Sequence, residues 1–447
     1  MTFLVQQALS VIANCLRQLG LGKQTLVAML ASLLHVSSPH SHKHAHASTP
    51  QTNNSSHIRP QPRISTQSKD GIDVEVTAVP SPLSPTPSIM APIPVTTMDE
   101  FMTEVRRLFE APMQTATLYQ MSTQLQEEFR EKLNASKLSM LPSFHHTLPT
   151  GLEIGTILAL DVGGSTFRIA LIELSGKEGD RHGMDIKRLK SFTIDESVRR
   201  LHGTLFFDWM AARIEDVLVA DNHESEQKTS GPLPMALAWS FPIEQTSTRT
   251  GSLLPMGKGF LATSGCEGMD IHQLVTAACK RRNLDVELQG IVNDASATLL
   301  SQAYRDPSTR ISLIMGTGIN SAVYLPIATL QREKFGQRED GWWDQADHVL
   351  VNTELSMFGK SVWDSTRWDD ELNLAHPLPD FQPLEYKAGG RFLGELVRLV
   401  IVEAVEKGVL FQGRMPQGLD IAYGMDTGLI GVFERSAASS FRLLDLY

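Results

Sequence analysis

Apolar residues recur at helical spacing early in the globular part of the chain. Phe101, Val105, Leu108 and Phe109 mark one helix, and Leu118, Met121, Leu125 and Phe129 a second. After Leu148-Pro149-Thr150-Gly151 the period changes. Residues 157–160 predict a strand that runs directly into Asp161 and two glycines, and residues 169–174 predict its return partner in a hairpin. Further strands are expected at 235–240, 290–293, 311–315, 321–325 and 348–353, with helices at 205–219, 271–282, 295–304 and 390–407. Strands separated by helices, with hairpins among them, predict an α/β class and a mixed sheet. No repeat of 20–50 residues interrupts this order.

The chain upstream reads differently. Residues 1–34 are apolar and broken at Gly20-Leu21-Gly22. Leu4, Ala8, Val11, Ile12, Cys15 and Leu19 lie opposite Gln7, Ser10, Asn14, Arg17 and Gln18, an amphipathic helix pattern. No basic residue precedes the apolar stretch, which disfavours a secretory signal. Residues 35–97 hold ten of the 23 prolines, many serines and threonines, and few large apolar side chains. Such a segment cannot bury enough surface to offset its ordering entropy, so a disordered tether is expected. His40, His42, His44 and His46 lack an accompanying carboxylate or cysteine and are read as a solvated tract.

Composition then narrows the function. The 447 residues suffice for one large two-lobed domain or two to three small ones. A net charge of −10 argues against nucleic acid as a partner, because such proteins present a basic face. Three scattered cysteines provide neither a disulfide framework nor a zinc site.

Four segments could carry chemistry. In Asp161-Val162-Gly163-Gly164-Ser165-Thr166-Phe167-Arg168 a strand ends in an acid, and glycines let backbone N–H groups approach phosphate oxygens. The hydroxyls add donors, and Asp161 could hold a metal through water. An ordinary hairpin turn is the competing reading. Next come Ser240-Phe241-Pro242 at a strand end and Lys258 in a glycine-rich loop, groups able to line a polyol pocket; otherwise Lys258 is a surface lysine. In the third, a strand delivers Asn293 and Asp294 to a helix start. Asp294 is there either a helix N-cap or a general base for an attacking hydroxyl. The fourth, Gly316-Thr317-Gly318 leading to Asn320, repeats the construction of the first. Two such turns with a strand-end acid argue for a nucleotide clamp where one alone would be weak.

In this order the four segments resemble the hexokinases of the actin-like ATPase superfamily. The resemblance runs from Met98 to about Gly413 and takes in Met140-Leu141-Pro142, Val351-Asn352-Thr353-Glu354, Gln382-Pro383-Leu384-Glu385 and Phe411-Gln412-Gly413. The wording around residues 381–385 is most like fungal members. The resemblance implies an actin-like, ribonuclease H-like fold of two lobes. It divides the chain at 98–294 and 295–447, behind the helix 1–34 and the tether 35–97. It implies ATP-dependent phosphorylation of a hexose 6-hydroxyl, feeding glycolysis, with Mg²⁺. Asp294 matches the catalytic base. Ser240, Phe241, Pro242, Lys258, Asn293, Asp294, Asn320, Glu354, Gln382 and Glu385 match the sugar site. Asp161, Gly163, Gly164, Ser165, Thr166 and Arg168 match the first phosphate motif, and Gly316, Thr317 and Gly318 the second. Mg²⁺ is expected through water at Asp161 and Asp294.

Several positions depart from the pattern. The usual Gly-Gly-Thr-Asn is Gly163-Gly164-Ser165-Thr166, a threonine expected before Lys258 is Gly257, and one expected after Asp294 is Ala295. After Glu354, Leu355-Ser356-Met357 puts bulk beside the sugar pocket. Each lost hydrogen bond to a bound hydroxyl costs about 1 kcal/mol. Residues 433–447 look unlike the family, so an incomplete large lobe without its adenosine-binding part is expected. These departures motivate a second reading, a catalytically weak hexokinase-like sugar sensor acting through a protein partner. The expected location is the cytoplasm. The amphipathic segment, with no acidic residue before Asp70, is expected to attach to a membrane surface, the mitochondrial outer membrane in particular.

Overall fold

The computed structural model describes residues 97–178, 181–219, 231–257 and 259–430. The helix and tether expected before Thr97, and Lys258, lie outside the described residues.

Helix α1 (Met98–Glu110) opens with a capping box. Thr97 Oγ1 accepts from the Glu100 N–H, and the Glu100 carboxylate accepts from the Thr97 N–H at 2.8 Å. Helix α2 (Thr115–Ala135) follows, then the short strand β1 (Leu141–Pro142). The next strands are β2 (Ile154–Val162), β3 (Thr166–Glu178) and β4 (Arg181–Thr193). One helical turn, α3 (Glu196–Arg199), and helix α4 (Thr204–Leu218) lead to β5 (Leu233–Trp239). A small ribbon of β6 (Ile243–Gln245) and β7 (Gly251–Leu253) precedes helix α5 (Ile271–Arg281) and β8 (Val286–Val292).

Among the described residues these strands build a sheet of order β4-β3-β2-β5-β8. Strands β2, β3 and β4 are antiparallel neighbours, whereas β5 runs parallel to β2 and β8 parallel to β5. The carboxyl ends of β2, β5 and β8 therefore share one edge, the edge at which open α/β sheets bind ligands. Helices α4 and α5 cover the sheet, burying Phe206, Phe207, Ile214, Leu274 and Ala278 against Leu158, Leu160, Leu237 and Ile291. Alternating buried and half-buried residues along β2 produce that face.

Helix α6 (Asp294–Arg305) leaves β8 and leads to β9 (Ile311–Met315) and β10 (Ile319–Pro326). A short turn of helix, α7 (Trp342–Gln345), precedes β11 (His348–Asn352). The second sheet has order β1-β11-β10-β9 and is antiparallel throughout. Ala295, Leu299 and Ala303 of α6 pack with Ala322 of β10 and Leu350 of β11, so one helix starts on the first sheet and rests on the second. Helices α8 (Arg367–Ala375), α9 (Pro383–Ala388) and α10 (Gly390–Glu406) follow, and residues 407–430 continue past α10 to the end of the described chain. Trp368 stacks on Phe109 at 5.7 Å, which fixes α8 to α1. The α/β class with mixed strand directions is as expected.

His145 lies where β1 leads out of the second sheet, and its carbonyl accepts from the Leu350 N–H at 2.9 Å. Burial holds its imidazole below the ordinary 6.5, partly offset by the Ile291 backbone. Below pH 6.5 the unfolded chain takes up a proton that the folded protein refuses, so stability is expected to fall as pH drops from about 6.5. Denaturant midpoints at pH 7.5 and 5.5 check this. His145→Gln should flatten the difference, and an equal slope in both proteins would place its cause elsewhere.

Candidate active site

Among the described residues, most of the expected site residues lie at the shared edge of the first sheet or at the end of the second that adjoins it through Asn293 and Asn320. At the end of β2, Asp161 lies directly across the hairpin from Arg168, and their side chains pair at 2.8 Å. The turn between them is tight, with the Gly163 N–H donating to the Thr166 carbonyl at 3.0 Å. A Cβ on Gly163 would lie 3.3 Å from that same oxygen, a tight approach. Ser165 gives its carbonyl to the Ile194 N–H and Gly164 gives its own to Arg199 Nη2, at 2.9 and 3.1 Å.

One strand over, β5 ends at Trp239, and the next residue, Ser240, donates its hydroxyl to Asp294 Oδ2 at 2.7 Å. Its neighbour Phe241 is buried, with its ring against Phe260 at 4.8 Å and Trp239 at 5.3 Å. The structure thus puts the Phe241 ring in the aromatic core beneath the strand end rather than among the polar groups. Pro242 stands exposed beside it.

The N-cap position expected of Asp294 falls one residue earlier. Asn293 is the N-cap of α6, its Oδ1 accepting from the Ala295 N–H at 2.9 Å, while Asp294 is the first helical residue. The carboxylate of Asp294 takes the Ser240 hydroxyl on one oxygen and the Ala295 N–H, at 2.7 Å, on the other. Asn293 and Asp294 thus share the Ala295 N–H, and the Ser240 hydroxyl holds the other Asp294 oxygen at the strand edge.

From Asn293 a line of amides crosses to the second sheet. Asn320 Nδ2 reaches Asn293 Oδ1 at 3.5 Å and Asn352 Oδ1 at 3.0 Å. Asn352 Nδ2 donates to Glu354 Oε1 at 2.7 Å. Glu354 has a positive φ of 51°, a conformation costing a non-glycine residue about 1–2 kcal/mol. Asn352 holds it there from both sides, since its Oδ1 also accepts from the Glu354 N–H at 3.3 Å. Asn352 carried no role in the sequence reading. Its alternation within β11 looked like ordinary strand, and only the pairing of β11 with β10 brings it beside Asn320.

Gln382 and Glu385 approach from the other side. Gln382 Nε2 donates to Ser356 Oγ at 3.2 Å, tying it to the turn after Glu354. Glu385 Oε2 accepts from the Ile319 N–H at 3.0 Å and fills the space where a Gly318 Cβ would stand. The second turn is held from below by the start of α10. The N–H groups of Gly390 and Arg391 donate to the carbonyls of Gly316 and Thr317 at 2.8 and 3.0 Å. A Cβ on Gly316 would meet nothing within 4 Å, so the turn is open on the Gly316 side and filled by Glu385 on the Gly318 side.

Among the described residues no three His, Cys, Asp or Glu side chains form a metal cage. Mg²⁺ does not need one, because it keeps several waters and takes one or two carboxylates with substrate phosphates. Asp161 and Asp294 lie at the ends of β2 and β8 with β5 between them, Asp161 paired with Arg168 and Asp294 accepting the Ser240 hydroxyl.

The chain resembles known proteins over most of its described length. Two family profiles, both described as hexokinase, match residues 103–304 and 310–445. The second match extends well past Gly413, so the likeness reaches further along the chain than its wording implied. Human hexokinase HKDC1 is 32% identical over 288 residues, 63% of this chain and 29% of that protein. Hexokinase-1 of Saccharomyces cerevisiae is 28% identical over 342 residues, covering 76% of this chain and 68% of the yeast protein. The matches thus span about a third of the mammalian relatives and about two thirds of the yeast one. A hexokinase from Schistosoma mansoni, solved in complex with glucose, superposes with a TM-score of 0.62 at 27% identity, over 74% of this chain and 72% of the other.

Proposed function

The chain belongs to the hexokinase family, and we propose that it transfers the terminal phosphoryl group of ATP to the 6-hydroxyl of a hexose. One observation carries this reading. Ser240, Asp294, Asn293, Asn320, Asn352 and Glu354 form an unbroken line of polar side chains, joined by contacts of 2.7 to 3.5 Å or adjacent in sequence, between two glycine turns. A row of amides and acids offers a polyol matched donors and acceptors. Its position beside strand-end turns sets a bound hydroxyl near a nucleotide's phosphates.

In this reading Asn293, Asn320, Glu354, Gln382 and Glu385 hold the sugar hydroxyls. Asp294, aimed by Ser240 and the Ala295 N–H, accepts the proton of the attacking hydroxyl as it bonds to phosphorus. The turns Gly163–Thr166 and Gly316–Gly318 receive the phosphates. Mg²⁺, held through water by Asp161, supplies charge neutralisation on the phosphate oxygens when bound. Arg168 keeps the Asp161 carboxylate in place across the hairpin.

A specific observation favours a second reading, a sugar sensor with weak turnover. The Glu385 carboxylate sits against Gly318, so a negative charge borders the turn assigned to a phosphate. Two like charges a few ångströms apart repel, and nucleotide binding at that turn would then require Glu385 to move or be screened.

A coupled hexose-phosphorylation assay run beside sugar calorimetry decides between them. Turnover supports the kinase, and hexose binding without turnover supports the sensor. Either way a hexose should raise the melting temperature, by about 2.7 kcal/mol of stabilisation at one hundred times its Kd. No shift at tens of millimolar glucose, mannose or fructose would remove the sugar site altogether.

A further inference from the structure

Helix α2 reaches the sugar side of the proposed site from behind. Glu128 and Lys132 stand four residues apart near its carboxyl end and pair at 3.1 Å, with side chains only 19% and 27% exposed. Between them in sequence, Phe129 sets its ring 4.6 Å from the buried ring of Phe358. The end of the helix is itself fixed. Lys334 Nζ donates to the carbonyls of Lys132, Ser136 and Ser139 at 2.8, 2.7 and 3.0 Å.

The pair brackets the turn that follows Glu354. One carboxylate oxygen of Glu128 faces Lys132, and the other accepts from the Gly359 N–H at 2.8 Å. Lys132 Nζ points at the Met357 carbonyl at 3.5 Å and lies 4.9 Å from the centre of the Phe358 ring. An anion thus meets a backbone donor and a cation meets a backbone acceptor two residues away. The first contact is the stronger, since a short bond to an ionised group is worth roughly twice a neutral one. Gly359 has a positive φ of 82°, and a Cβ there would run into the Trp363 indole.

From Gly359 the chain of contacts runs back to the hexose ligands. The Phe358 N–H donates to the Leu355 carbonyl at 3.1 Å and the Met357 N–H to the Glu354 carbonyl at 3.0 Å. The Leu355 N–H donates to Asn320 Oδ1 at 3.3 Å. Ser356, in the middle of the turn, takes the Gln382 amide. A shift of Met357 and Gly359 would therefore carry Glu354 and the Gln382 contact with it.

We propose that Glu128 and Lys132 are positioning residues of the hexose site, gripping the back of the 355–359 turn so that Glu354 and Gln382 stay at hydrogen-bonding distance from a sugar. This role rests on the hexose reading of Glu354 and Gln382. Neither residue touches the sugar or a reacting atom. The base Asp294 and the first phosphate turn lie on the other sheet, so the grip acts on hexose affinity and leaves the chemical step alone.

The test compares full-length wild type with Glu128→Ala, Glu128→Gln and Lys132→Met in a coupled assay, with glucose calorimetry beside it. Glu128→Ala should raise the KM and Kd for glucose by about tenfold, inside the range for substitutions that act through a packed network. Turnover at saturating glucose should stay within about threefold, the signature of lost uniform binding. Glu128→Gln keeps a carbonyl for the Gly359 N–H and should recover most of the affinity, while Lys132→Met should lose about threefold, its backbone contact being the longer one. Unchanged glucose affinity in folded Glu128→Ala overturns the proposal, as does an equal fall in turnover.

A ligand-free arm separates this result from a failure of the hexose reading. Amide exchange at Leu355 and Phe358 should speed up by about tenfold in Glu128→Ala, with core amides of the first sheet unchanged, because the turn opens locally once its rear contact is gone. Unchanged exchange at Leu355 means that the grip ends at Gly359, and the proposal falls even where glucose binds. Should wild type bind no hexose, the hexose reading falls and with it the positioning role, whereas the exchange result still decides whether α2 holds the turn.

Discussion

Asp294→Ala is expected to lower the turnover of hexose phosphorylation by about 10²–10⁴-fold, the usual consequence of losing a general base. Its geometry makes the substitution unusually clean. Asn293 caps α6 and remains to bond the Ala295 N–H, so the helix start should survive. The methyl side chain leaves the Ser240 hydroxyl without its acceptor, and that group can turn to water or to the bound sugar. Hexose affinity should therefore change far less than turnover, because Asn320, Asn352 and Glu354 keep their mutual bonds. Steady-state kinetics in a coupled assay, with a melting curve for each protein, reads both effects. Ser240→Ala should cost much less, since it removes one orienting hydrogen bond of about 1 kcal/mol and leaves the base. Wild-type turnover in Asp294→Ala would place proton transfer on another group.

Much of this site was legible because strand ends announce themselves. Asp161, Ser240 and Asn293 each follow a run of apolar residues and precede a glycine, proline or helix start, and the parallel pairing of β2, β5 and β8 brings those ends together. Helices α4, α5 and α6 fell within a residue of their expected limits because their apolar faces repeat at helical spacing. Strand β4 was missed for a physical reason. It is an edge strand carrying Lys187, Arg188 and Lys190, with Ile186 and Leu189 half exposed, so no buried face imposes alternation. Charge on an edge strand protects it from pairing with another chain and at the same time hides it from a search for hydrophobic period.

The residues that went unread act through contacts distant in sequence. Asn352 joins Asn320 across a strand pair, and Arg199 reaches Gly164 from 35 positions away. Ser356 holds Gln382 across 26 positions. No local spacing encodes such meetings; they follow from topology. Phe241 shows the converse. Its place in a strand-end motif looked like a pocket lining, yet the side-chain alternation of β5 and the bulk of Trp239 and Phe260 turn its ring inward.

The largest expected loss of stability comes from a place where charge is buried rather than exposed. Glu395 and Arg398 of α10 pair through two hydrogen bonds of 2.7 Å each, with side chains only 7% and 9% exposed. The Glu395 hydrogen bond holds the Arg398 guanidinium above its ordinary value. Each partner also grips the chain beyond Gly413. Arg398 Nη1 donates to the Leu419 carbonyl at 2.6 Å, and Glu395 Oε2 accepts from the Tyr423 N–H at 2.6 Å. Removing one partner strands a charge away from water, so Arg398→Met is expected to cost about 3–5 kcal/mol, while pairing it with Glu395→Met should recover much of that loss. Urea midpoints of the single and double variants check the cycle. An additive double variant would mean the charges are solvated and the pair contributes little. The loss should also reach the nucleotide side of the site. Thr427, in the segment that the pair secures, donates to the Gly390 carbonyl and accepts from the Gly394 N–H, and Gly390 in turn holds Gly316. Below its unfolding midpoint, Arg398→Met should therefore bind the ATP analogue more weakly than wild type while binding glucose normally, since no link of the Ser240–Glu354 line passes through α10.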